Sequence, residues 1–304
     1  MRIMKTRISD LTVHEIIKYL KVIDDSEGAL EIQSLLDENP GLGDRKISEL
    51  DESPKLERAK WRGTEHSFGY FSPEQNEIVP IQYAGIIEPE KELIGKKVNI
   101  LLGGLFTMNY PGAGRHNVLM SFKINHAHDS DPAKNQTIQF QQRFLSKENE
   151  GAGGMGNFIF RGLNVPSVGL EFWVNTVNVS NSRDEGALKV LESDAVRLGL
   201  DLVNASIPTL SSLSNIGEAL LKLILTKNRN KIVQEFSLGL NFTGGTSPVA
   251  KLRRGTYIAA QVKMDKINWE KWVFDSSIGM IRHSENVNQR LPYNHIIFIV
   301  NLSQ

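Results

Sequence analysis

The chain contains no cysteine. Disulfides, thiolate nucleophiles and every zinc site built on sulfur are therefore excluded, and the composition fits a reducing compartment. An excess of either charge is missing as well: 35 Lys and Arg balance 35 Asp and Glu. Neither a nucleic-acid footprint nor a polybasic membrane anchor is expected from that balance. Long apolar runs are lacking too. Leu202–Leu225 has the length of a membrane span, but Asn204, Ser206, Pro208, Thr209, Ser211, Ser212, Ser214 and Asn215 make it too polar to cross alone. The basic start, MRIMKTRISD, is followed by no apolar stretch of a secretory signal. A soluble, cytoplasmic protein is expected. Catalytic signatures are also sparse: there is no Gly-x-Ser-x-Gly elbow, and the Gly151–Gly156 run lacks the Lys-Ser/Thr of a phosphate loop.

What is present begins with an N-terminal segment, residues 1–60, unlike the rest. Thr12 with Glu15 forms a capping-box signature, and Val13, Ile16, Ile17, Leu20 and Ile23 follow at helical spacing. A second helix is expected from Ser26 to Asp37, with Ala29, Leu30 and Leu36 inward, ending at Asn39-Pro40-Gly41. Acidic residues dominate from Asp24 to Glu57. Two small helices bury little alone, so this segment must dock on the body, on a second copy or on a partner.

From about Ile78 the pattern turns to period two. Strands are expected at Ile78–Tyr83, Val98–Met108, Val118–His126, Thr137–Phe144, Asn157–Phe160, Val168–Val179, Ile232–Phe242, Thr256–Met264, Ile278–Arg282 and His295–Leu302. Glycine- and proline-rich turns separate them. The fold class expected for residues 61–304 is mainly β, an antiparallel β-sandwich of C2-like or jelly-roll type. It carries a helical insertion at about 184–227. The insertion splits at Pro208, and its second half presents Leu213, Ile216, Leu220 and Ile224 on one broad apolar face.

Three groups of residues carry candidate chemistry. His126, His128, Asp129 and Asp131 could hold a divalent metal, since two histidines two apart on an extended strand point the same way. That spacing is similar to the His-x-His opening of several metallohydrolases. It departs from the His-x-His-x-Asp-His pattern of the metallo-β-lactamases, with Ser130 and Asp131 in the last two places. Further ligands would have to converge on the loop, His116 or His295 for example. Trp269 and Trp272, three apart, offer an aromatic platform for a ligand. Finally, the apolar stripes of the N-terminal helices and of the insertion are candidate docking faces for a protein partner or a second copy.

The reading that assumes least is a non-enzymatic interaction or assembly module, docking a partner or self-associating through the N-terminal helices and the insertion. A metal-dependent hydrolase centred on His126-x-His128 is the alternative. A membrane-active effector using Leu202–Leu225 comes third.

Overall fold

In the computed structural model, residues 7–73, 77–112, 114–126, 136–152, 156–179, 230–243, 250–263 and 267–303 are described. The expected insertion, with Leu213, Ile216, Leu220 and Ile224, lies outside them. The described chain is mainly β, with antiparallel sheets and two α-helices.

Helix α1 spans Val13–Val22 and α2 Ser26–Glu38. The strands are β1 Glu65–Phe71, β2 Ile78–Pro80, β3 Gln82–Tyr83, β4 Lys97–Thr107, β5 Arg115–His126, β6 Gln136–Lys147, β7 Glu150–Ala152 and β8 Asn157–Asn164. They continue with β9 Leu170–Asn178, β10 Lys231–Asn241, β11 Ala250–Lys251, β12 Gly255–Val262, β13 Trp272–Asp275, β14 Met280–His283 and β15 His295–Leu302. One sheet runs β3-β1-β12-β15-β4-β7, with β8 also on β4. A second runs β11-β10-β9-β5-β6, and a third β14-β13-β2. All of these pairings are antiparallel except β10 with β11.

Side-chain alternation places the seven-stranded sheet between two cores. In β12, Tyr257 and Ala259 join one apolar cluster while Ile258 and Ala260 join the other. In β15, Ile296, Phe298 and Val300 face the first cluster and Ile297 the second. The first cluster is shared with the five-stranded sheet and centres on rings: Phe122 meets Phe172 edge-on at 5.4 Å, and Tyr257 stacks on Phe298 at 5.4 Å. The second lies under the three-stranded sheet and holds Trp269, Trp272, Val79 and Ile281.

The N-terminal segment belongs to the first core. The capping box forms as expected: Thr12 N–H donates to Glu15 at 2.9 Å, and Thr12 Oγ1 accepts from Glu15 N–H at 3.3 Å. Val13, Ile16, Ile17 and Leu20 are buried in the same cluster as the strands, and Ile23 packs partly buried against it. The docking face expected to await a partner is thus covered by the chain's own sheets.

Polar contacts fix this seat. Gln261 Nε2 lies within 3.0 Å of the carbonyls of Trp61, Gly63 and Val233, and its Oε1 accepts from Asn294. Arg62, 3% exposed, donates to Leu50 O at 2.6 Å and pairs with Glu52 at 2.8 Å. Bonds of this kind supply the partners that buried polar groups require.

Several expectations are corrected. Leu30 is 68% exposed, whereas α2 buries Ala29, Ile32, Leu35 and Leu36. At 100° per residue, position 30 falls off the stripe that 29, 32 and 36 define. The expected strand Ile78–Tyr83 is broken after Pro80, and Ile81 N–H bonds Trp272 O instead. β1 and β13 carry no expected strand. Among the described residues, no helix is long and apolar enough to cross a membrane.

Candidate functional site

A polar concavity of about 310 Å³ lies where the α1–α2 corner meets the loop after β4. Its construction starts with local backbone chemistry. Asp24 adopts a left-handed φ of 62°, which stops α1 and turns the chain. Asp25 then caps α2: one carboxylate oxygen accepts from Gly28 N–H and the other from Gly112 N–H, each at 3.0 Å. The first bond starts the helix and the second fastens it to the Tyr110–Gly112 loop. A methyl at position 28 would stand 2.9 Å from both Asp25 oxygens, so a larger residue there would push the capping carboxylate aside.

The cleft is lined by five carboxylates, Asp24, Asp25, Glu27, Glu31 and Glu148, and by two cations, Lys55 and Arg58. Arg58 pairs with Glu27 at 2.5 Å and with Glu31 at 3.9 Å. Lys55 is turned to Ser34 and Glu38. Glu148 is held above the ordinary carboxylate range by burial; Arg58 opposes that rise, while Asp25 and Glu27 add to it. No three of these carboxylates converge on a point that could hold a metal ion.

Behind the wall lies a buried polar floor. Tyr110 Oη donates to Thr176 Oγ1 at 2.8 Å, and Asn178 Nδ2 donates to Pro111 O at 2.8 Å. His116 is 3% exposed and its ring sits 5.5 Å from that of Tyr110. Burial lowers its basicity, with Asp25 opposing, which disfavours the imidazolium form. Its Nε2 has no hydrogen-bond partner among the described residues.

No family model, curated protein or solved structure matches the chain. The chemistry of the cleft therefore has to speak for itself.

The expected sites fare differently. His128, Asp129 and Asp131 lie outside the described residues, and for His126 the description extends only to its backbone, which ends β5 opposite Gln136. His116 stands near the start of the same strand. Ten residues at about 3.3 Å each separate the two by roughly 33 Å, so His116 cannot share an ion with His126. His295 is no better placed. It pairs with Phe106, and the adjacent Thr107 bonds Ser146, the β6 partner of His116, so it belongs to the His116 end.

The aromatic platform is corrected as well. Trp269 is 2% and Trp272 8% exposed, and both fill the second core. Trp269 Nε1 donates to Ser67 Oγ at 3.0 Å, and its ring lies over Gly69, where a methyl would approach to 2.9 Å. Rings seated this way have no free face for a ligand.

The acidic character of residues 24–57 signals part of the cleft in the sequence. Glu148, Tyr110 and Gly112 carry no such signal, because only the fold brings them to the α1–α2 corner.

Proposed function

We propose that this protein is an interaction module, a β-sandwich built from the two larger sheets and working in the cytoplasm, that docks a basic segment of a partner protein in the cleft beside α2. The observation that carries this reading is the charge imbalance of the lining, five carboxylates to two cations. Carboxylates spread around a cleft suit an extended cation better than a metal ion, which needs convergent ligands. A volume of about 310 Å³ is at the lower end for ligand sites, so it suits one or two side chains rather than a whole helix. Exposed carboxylates steer and select cationic partners more than they bind them tightly.

The test is fluorescence anisotropy with labelled tetra-arginine and tetra-glutamate peptides on the full-length protein. Tetra-arginine should bind and weaken as salt rises, because exposed charges are screened over about 10 Å at 0.1 M. The pair of substitutions Glu31→Gln and Glu148→Gln should weaken it about fivefold. Equal binding of both peptides, or indifference to the substitutions, sinks the reading.

A further inference from the structure

We propose that the end of the two larger sheets opposite the cleft docks on an anionic lipid surface, its apolar loop tips entering the headgroup layer and its cations meeting the phosphates. Topology assembles this end. β4, β9 and β12 begin there, and β8 and β15 end there. The eleven residues of β4 separate it from the Tyr110–Gly112 loop by roughly 36 Å. Main-chain hydrogen bonds join its loops into one surface: Gly95 N–H to Val165 O at 2.9 Å, Glu90 N–H to Leu252 O at 2.8 Å and Ser303 N–H to Lys97 O at 2.9 Å.

Apolar tips are the first observation. Ile86 is 72%, Ile94 40%, Val168 73% and Leu302 39% exposed, four of the ten large apolar side chains exposed among the described residues. Ile86 and Val168 sit on turns. A turn tip in water has no packing reason to be β-branched and apolar. Entry into a membrane interface supplies one.

Charge is the second observation, independent of the first. The same loops, with the first residue of β4, carry Lys91, Lys96, Lys97, Lys251, Arg253 and Arg254 against Glu88, Glu90 and Glu92. Glu90 is taken up by Arg254, whose Nη2 and Nε lie 2.5 and 2.6 Å from its carboxylate. A chain that is neutral overall thus separates its charge, acidic at the cleft and basic at the far end. Scattered apolar tips flanked by cations suit a yielding lipid interface better than the shaped surface of a protein partner.

The experiment is co-sedimentation of the full-length protein with vesicles of phosphatidylcholine alone and with vesicles containing roughly one-third phosphatidylserine. The protein should sediment with the serine-containing vesicles about tenfold better, and added salt should release it. Each cation near an anionic surface is worth about fivefold, so Lys91→Gln combined with Lys96→Gln should weaken binding about tenfold or more. Val168→Asp should weaken it about tenfold as well. All three positions are exposed, so an unchanged melting curve establishes that each variant is folded. Glu31→Gln with Glu148→Gln, at the cleft, should stay within about twofold of wild type, so the failure of either reading leaves the other standing. Equal sedimentation with both vesicles, or indifference to either the lysine pair or Val168→Asp, overturns the proposal. Release from the vesicles by tetra-glutamate marks the surface as a seat for an acidic protein segment and overturns it too.

Discussion

Two junctions on the seven-stranded sheet use opposite chemistry. Under the three-stranded sheet the contact is dry: Trp269, Trp272, Val79 and Ile281 close it, and the tryptophan N–H finds its partner in Ser67. At the α1–α2 corner the deeper residues are sealed into the first core, but the rim is left to charged side chains that only partly neutralise one another. A junction closed by apolar rings has used up its recognition capacity in folding. One closed at depth and charged at the rim keeps some for an outside partner. Stability and binding should therefore separate cleanly between the two places.

The most severe challenge to that contrast is deletion of residues 1–60. The segment contributes fifteen buried apolar residues, from Ile8 to Ala59, to the core it shares with the sheets. Each such side chain beyond alanine is worth about 1.5–3 kcal/mol, against a typical total stability of about 5–15 kcal/mol. The truncated protein should lose its cooperative unfolding transition, followed by circular dichroism. A body that still melts cooperatively would show the segment to be a separable arm.

Next comes Trp269→Ala, which should cost about 3–5 kcal/mol in urea denaturation. The same change should leave tetra-arginine affinity at the α2 cleft unaltered where the protein remains folded. A normal midpoint together with altered binding would restore these rings to a ligand-binding role.

What could be read before folding follows from range. The Thr12–Glu15 box, the α1 stripe and the longer strands are set by neighbours within a few residues, so local pattern reveals them. β1 is not legible because the glycine that seats Trp269 interrupts the apolar alternation of EHSFGYF, and β13 because WVFD is only four residues long with no alternation. Leu30 is apolar, yet its angle on the helix sets it off the buried stripe, and composition alone does not reveal that. The cleft was half legible, as an acidic stretch. Its other half comes from Tyr110, Gly112 and Glu148, roughly 80–120 positions away. A tryptophan that fills a core and one that offers a platform leave the same local pattern, and only the three-stranded sheet covers Trp269 and Trp272.

The smallest effect, and the finest test of the contrast, is at Glu148. Its carboxyl is raised by burial, with Asp25 and Glu27 adding to the rise, so the folded state holds its proton more tightly than the unfolded chain does. Below the ordinary carboxylate range both states are protonated and the residue is neutral in its effect. As pH climbs through the unfolded and then the folded value, the folded protein must accept a charge its neighbours disfavour, and stability falls. Glu148→Gln should abolish that decline, raising the urea midpoint at pH 7 relative to pH 4 by the equivalent of about 0.5 kcal/mol or less, since the residue is exposed overall and the cleft withdraws only part of its carboxyl from water. The same variant should also bind tetra-arginine more weakly. A small gain in stability with a loss in binding is the signature of charge retained for a partner. If both fall together, Glu148 is a structural contact and the rim differs less from the tryptophan junction than its charges imply.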